Sequence, residues 1–296
     1  MVQLVAINIE KEACFMIREI NSELITEAVA RMCIEANCYI DKSVEAALLK
    51  AAEEEESPVG RGVIENLLKN AQIAAKKEIP ICQDTGMAVF FVELGKDVHI
   101  GGKNLTDAIN DGVRKGYTEG YLRKSVVSDP LERKNTNDNT PAVIYTEHTD
   151  GDKIKITYAP KGFGSENKSA VKMLNPSDGV EGVIRFVLET VDKAGANPCP
   201  PMVVGVGIGG TMDKAAWLSK KALTRDIATR NSNAYYKELE ETLLKKINML
   251  GIGPQGMGGT TTALAVNIET FPTHIAGLPV AVNINCHATR HSVCVI

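Results

Sequence analysis

No apolar stretch in this chain approaches the roughly 20 residues needed to cross a bilayer. The N-terminal octet, Met1 to Asn8, lacks a basic segment, an apolar core and a small-residue cleavage site, so no secretory signal is read there. A long basic run is also missing, and the net charge is −4, which leaves nucleic-acid or anionic-membrane binding without electrostatic support. No Cys-x-x-Cys pair occurs, which disfavours zinc ribbons and thioredoxin chemistry. Internal repeats and low-complexity linkers are absent, and no composition shift marks a domain boundary. The chain therefore reads as a soluble, cytoplasmic protein of one domain over residues 1–296.

What is present can build a substantial core: 296 residues, 44% hydrophobic. The pattern predicts a mixed α/β fold, helical over its N-terminal third (1–78) and interleaved afterwards. Residues from about 10 to 78 look helical. Apolar residues between Glu23 and Glu35 follow one helix face. Ser43 is a candidate N-cap for a segment ending in Glu53 to Glu56, read as a solvated helix end. Pro58 and Gly60 open a helix to about Lys77. Strands are expected at Met87–Leu94, Val143–Glu147, Lys153–Tyr158, Val203–Gly207, Ala263–Ile268 and Val280–Ile284. Helices are expected over 104–120, after Ser165, over 180–194, 212–229 and 235–250. Asp150-Gly151 reads as a turn between two of the strands.

Seven cysteines in a chain with no secretory signal are expected to be reduced. Cys14, Cys33 and Cys38 lie in helix-like apolar patterns and read as core residues. Three others sit among turn-forming and polar neighbours. Cys82 lies in Ile81-Cys82-Gln83-Asp84-Thr85-Gly86, Cys199 in Asn197-Pro198-Cys199-Pro200-Pro201, and Cys286 in Asn285-Cys286-His287. Their settings suggest a three-thiolate metal site with an open position. His274, His287 and His291 fall within 18 residues around Cys286 and offer either structural or catalytic imidazoles. Gly205-x-Gly207-x-x-Gly210 matches a dinucleotide fingerprint, but no strand pattern with an acidic residue follows. Close strand–helix packing accounts for these glycines better. Gly162 to Ser169 is a glycine turn entering a helix that Ser165 could cap. It reads equally as an ordinary helix start or as an anion site strengthened by Lys168. Arg123 offers a planar fork for a carboxylate, and Arg133 reads as part of a solvated basic loop.

The segments ICQDTG, RKNTNDNTPAV, GFGSENKSAVKML, NPCPPMVVGVGIGGTMDKAA, GIGPQGMGGTTTALAV and NINCHATRH together resemble the class I fumarases, the iron–sulfur fumarate hydratases. The match is to their N-terminal domain or alpha subunit, and the two-chain L-tartrate dehydratases are relatives. The GSENKS and GIGGTMDKAA segments look fumarase-like. The resemblance implies a [4Fe–4S] cluster held by Cys82, Cys199 and Cys286, with one open iron acting as a Lewis acid on a C4 dicarboxylate, malate or fumarate. It implies that Gln83, Asp84, Arg123, Gly164, Asn167, Lys168 and His274 line the substrate site. Arg123 would bind a carboxylate, and Asp84 and His274 would be the catalytic groups near the hydroxyl. Since the sequence ends at Ile296, soon after CHATRH, the resemblance also implies a beta subunit carrying the remaining groups, in an α2β2 assembly. A tartrate dehydratase, a non-catalytic iron–sulfur scaffold and a structural zinc site are the competing readings.

Overall fold

The computed structural model describes residues 17–296. The fold is mixed α/β, built from two four-stranded sheets with helices packed on each. The chain opens with β1 (Arg18–Asn21) and three helices, α1 (Ser22–Cys38), α2 (Lys42–Glu54) and α3 (Pro58–Lys77). Each helix start is signed by a side chain that accepts a free amide of the first turn: Asn21, Asp41 and Ser57. Next come β2 (Met87–Gly95), β3 (Val98–Gly101), α4 (Leu105–Glu119), β4 (Val143–Thr149) and β5 (Ile154–Lys161). The one-turn α5 (Phe163–Glu166), β6 (Ala170–Leu174), α6 (Gly179–Ala194), β7 (Met202–Gly209) and α7 (Met212–Ala222) follow. The chain closes with α8 (Ala234–Asn248), β8 (Ala263–Phe271), β9 (Leu278–Asn285) and β10 (Ser292–Val295).

The first sheet runs β10-β5-β2-β4 and the second β6-β9-β7-β8. Each mixes parallel and antiparallel pairs: β2 is parallel to β4 and antiparallel to β5, and β7 is parallel to β8 and antiparallel to β9. Alternate residues Ala88, Phe90 and Val92 of β2 turn inward onto Ile25, Val29, Met32 and Cys33 of α1 and Ile109 and Val113 of α4. The second core joins Val204 and Val206 to Val187 and Val191 of α6 and Leu243 and Ile247 of α8. Gly205 and Gly207 of β7 lie hard against α7. A Cβ at either would stand 2.1 Å from a carbonyl oxygen, of Ser219 or Ala215. The glycine fingerprint thus serves strand–helix packing, as its context suggested. Among the described residues no helix is long and apolar enough to cross a membrane.

Several expectations need correction. The reading of residues 10–78 as helical fails at Arg18–Asn21, which pairs in parallel with β3; residues 1–16, with Cys14, lie outside the described residues. Asp41, not Ser43, caps α2, accepting the Ser43 amide at 2.9 Å. The acidic run is not wholly solvated: Glu55 is fully buried. No long helix follows Ser165, since α5 ends at Glu166. The Ser165 hydroxyl is taken up by Gly162 O and Lys161 Nζ rather than capping, and Ala170–Leu174 pairs as a strand with β9. The 212–229 helix ends at Ala222. Strands β4 and β5 do flank Asp150-Gly151 as expected, but they lie on opposite sides of β2 rather than pairing with each other. Cys33 and Cys38 are buried as read, and Cys294 lies in β10 against the first core.

Candidate active site

The two sheets meet through a set of loops at one end of β5 and β9, and all three turn-held cysteines lie there. The first loop follows α3. Asn70 Nδ2 donates to Ile81 O, and the Ile81 amide donates to Asn37 O, so Cys82 emerges from a fixed point. The Asp84 amide donates to Cys82 Sγ at 3.4 Å. Asp84 then uses both carboxylate oxygens. Oδ1 accepts the Gly86 amide at 3.0 Å and Oδ2 accepts the Phe163 amide at 2.9 Å, which ties the cysteine turn to α5. Gly86 has φ +77, and a Cβ there would meet the Lys161 backbone nitrogen at 2.7 Å, so the turn admits only glycine. Thr85 Oγ1 clasps Arg123 at both backbone groups, accepting from its N at 2.9 Å and donating to its O at 3.2 Å.

Cys199 sits in a left-handed conformation, φ +55, on an exposed turn. Its carbonyl accepts the His287 amide at 3.2 Å, so the second and third loops touch. Cys286 follows the last residue of β9 and is half-buried. Two of these thiols, Cys199 and Cys286, are held back from ionising. Burial pushes the Cys199 thiol up, and Cys286 and Cys82 push it further. Burial likewise raises Cys286, with Cys82 adding to the rise while Arg290, the Ala288 amide and Lys161 pull it down. Segments far apart in sequence are thus brought within Coulombic reach. Among the described residues, no group of three His, Cys, Asp or Glu side chains is set to hold a single metal ion.

Cations back the thiols. Arg290 is 5% exposed. Its Nη2 donates to Asp84 O at 2.7 Å, while its Nε and Nη1 are buried with no partner among the described residues. Lys161, at the end of β5, donates to Ile284 O at 2.7 Å and to Ser165 Oγ at 3.0 Å. Burial pushes its ammonium down to about 8, against the pull of Glu166. Glu166 is held below the ordinary carboxylate range: burial opposes its charge, but Lys161 and Lys220 outweigh it. It accepts from Lys220 at 2.5 Å and from Asn283 at 3.0 Å, joining α5 to α7 and β9.

A cavity of about 580 Å³ opens beside this cluster. Asp84, Arg123 and Asn167, three of the residues singled out in the sequence, line it together with Met87, Phe163 and Arg133. Gln83 and Gly164 are exposed nearby. A Cβ at Gly164 would stand 3.7 Å from Asn197 O, so this turn adjoins the Cys199 loop. Lys168 lines a separate cavity of about 330 Å³ with Lys172 and Lys193, and Asn167 touches both. His274 is not brought in. It lies in the exposed turn before β9, at the opposite end of that eight-residue strand from Cys286. Sequence reasoning did not single out Arg290, Lys161 or Thr85. Only the presence of Arg290 in CHATRH and of Lys161 directly before the glycine turn could have signalled the first two.

The model of the family described as Fumarate hydratase (Fumerase) matches residues 26–295. A protein of Methanocaldococcus jannaschii named "Putative L(+)-tartrate dehydratase subunit alpha" is 42% identical over 276 residues, 91% of this chain and 96% of that protein. The L(+)-tartrate dehydratase subunit alpha of Escherichia coli (strain K12) is 34% identical over 269 residues, 90% of this chain and 88% of its own length. A match that runs through every loop bearing a site thiol leaves one conclusion: the chain belongs to the fumarate hydratase (Fumerase) family.

Proposed function

We propose that this chain is the alpha subunit of an iron–sulfur hydro-lyase that interconverts malate and fumarate. What supports the reading is the approach of three cysteine-bearing loops, remote in sequence, beside a cavity lined by Arg123 and Asp84. A [4Fe–4S] cluster fits this donor set. Around a single zinc, with bonds of about 2.3 Å, the sulfurs would crowd together, and the described residues offer no such group. A cluster spreads its thiolates over different irons. The two unpartnered N–H donors of buried Arg290, next to Cys286, suit an electron-rich neighbour of this kind. When bound by Cys82, Cys199 and Cys286, the cluster would leave one iron free as a Lewis acid for the substrate hydroxyl.

The chain's own groups would do the rest. Arg123, its backbone clasped by Thr85, would pair with a substrate carboxylate through two parallel N–H bonds. The Gln83 amide, the Asn167 side chain and the open backbone at Gly164 would complete the pocket, with Lys168 adding positive charge from the adjoining cavity. Asp84 already accepts two amides, which keeps it oriented. Its remaining lone pairs are free to accept a proton or a hydroxyl. A catalytic role for His274 requires a second copy of the chain, because within one chain β9 separates it from the thiols. The site cysteines are all free, which suits a reducing, cytoplasmic compartment.

Two relatives named as alpha subunits support a two-subunit enzyme, in which a beta subunit would supply the remaining groups in an α2β2 assembly. The same names favour a second reading, dehydration of L(+)-tartrate. Anaerobic steady-state assays on malate, fumarate and tartrate, with and without the beta subunit, separate these. Turnover of malate with the partner present and little without it supports the proposal. Turnover of tartrate alone moves the assignment to the second reading, and full turnover by the isolated chain refutes the division of labour.

A further inference from the structure

The segment from Gly251 to Thr262 has no part in the chemistry above, yet it touches two of the thiol-bearing loops. Its residue Gln255 has φ +50, a left-handed conformation that a non-glycine residue keeps only when its neighbours hold it there. The hold is visible. The Gln255 backbone N donates to Pro200 O at 2.8 Å, and its side-chain Nε2 donates to the same oxygen at 2.7 Å. Nε2 also donates to His287 Nδ1 at 3.2 Å, and the His287 backbone N donates to Cys199 O at 3.2 Å. Pro200 follows Cys199 and His287 follows Cys286. One side chain therefore bridges the residue after one thiol to the residue after another. The segment is seated at both ends of this contact. Gly256 lies so close to the Cys199 loop that a Cβ would stand 2.2 Å from Ala196 Cβ. Further along, the Thr260 and Thr261 amides donate to buried Glu55 at 2.9 and 2.8 Å.

We infer that Gln255 is a positioning residue that sets Cys199 against Cys286 for the group they bind, an inference that rests on the iron–sulfur reading. Cys199 needs such help. It is exposed, and its Sγ makes only a 3.9 Å contact, to Asn197 O. Its direction is set by the backbone, through the carbonyls of Cys199 and Pro200. Gln255 acts on the second of these directly and on the first through His287. Supporting groups one step behind metal ligands typically cost 10–100-fold in metal affinity when removed.

The test compares full-length wild-type chain, Gln255→Ala and Gln255→Glu, each reconstituted with iron and sulfide without air. Release of the cluster to excess chelator is followed by visible absorbance, and thermal midpoints are measured in parallel. Both variants are expected to release the cluster about 10–100-fold faster, with midpoints close to wild type. Gln255→Glu keeps the size and replaces the donating amide by an acceptor. A wild-type release rate in either variant overturns the inference, as does faster release matched by a general loss of stability. A second arm uses the cluster-free chain and a bifunctional thiol reagent. Joint capture of Cys199 and Cys286 should slow in both variants, and equal rates overturn the inference. A wild-type chain that takes up no cluster refutes the iron–sulfur reading instead, and the thiol-capture arm still decides the role of Gln255.

Discussion

Replacing Glu55 by Gln should destabilise the chain by about 3 kcal/mol at neutral pH. Glu55 is fully buried between α2 and α3, and its carboxylate accepts three backbone amides. Oε1 takes Ser57 N at 2.9 Å and Thr260 N at 2.9 Å, and Oε2 takes Thr261 N at 2.8 Å. Glutamine keeps one acceptor oxygen and turns an N–H2 group toward the other amides. At least one buried donor then loses its partner, at about 1–3 kcal/mol, and the remaining bonds lose their charge assistance, worth a further 1 kcal/mol or so. Domains of this kind are stable by about 5–15 kcal/mol, so the variant should still fold. The effect carries a pH signature. Burial works against the charge on Glu55, but the amides outweigh it and hold its pKa below the ordinary value. Its contribution is therefore full above the unfolded-state pKa and is lost as pH falls through the folded one. Urea unfolding of wild type and Glu55→Gln should show a gap that narrows on acidification. A gap under about 0.5 kcal/mol at neutral pH, within the range of neutral surface changes, or one that widens in acid, would refute the reasoning.

Arg123→Met should weaken malate binding ten- to a hundredfold without unfolding the chain, since a charge-assisted bidentate contact is worth about 1.5–3 kcal/mol. An unchanged KM with the beta subunit present returns Arg123 to the solvated loop. Exposure to air should abolish turnover, with partial recovery from iron plus a thiol reductant under anaerobic conditions. Full activity after aeration and chelation points to another metal or none.

Much of this fold was legible because local signals and tertiary demand agree. The Met87 to Val92 run, the one-faced pattern of Glu23 to Glu35 and the Pro58 start each describe an element that forms. The misses come from long-range pairing. Arg18–Asn21 and Ser292–Val295 are four-residue strands, too short to show a period, and exist because β3 and β5 offer them edges. Ala170–Leu174 was absorbed into a helix because nothing in it announces that β9 will claim it. The three thiols were singled out by their turn residues, and the structure sets the Cys199 loop against the loop that follows Cys286. Arg290 and Glu55 were not legible, because what matters about each is a partner, or the lack of one, more than 200 residues away. His274 shows the opposite limit, a residue the resemblance singles out and the single chain leaves at the other end of β9 from Cys286.

The most direct test of the central claim is the iron and sulfide content of the anaerobically purified chain, measured for wild type, for Cys82→Ala, Cys199→Ala and Cys286→Ala, and for Cys294→Ala as a control outside the site. The account predicts a cluster in wild type and Cys294→Ala and its loss in each of the other three. A cluster that survives replacement of any one of the three, or wild-type protein holding zinc without sulfide, contradicts it.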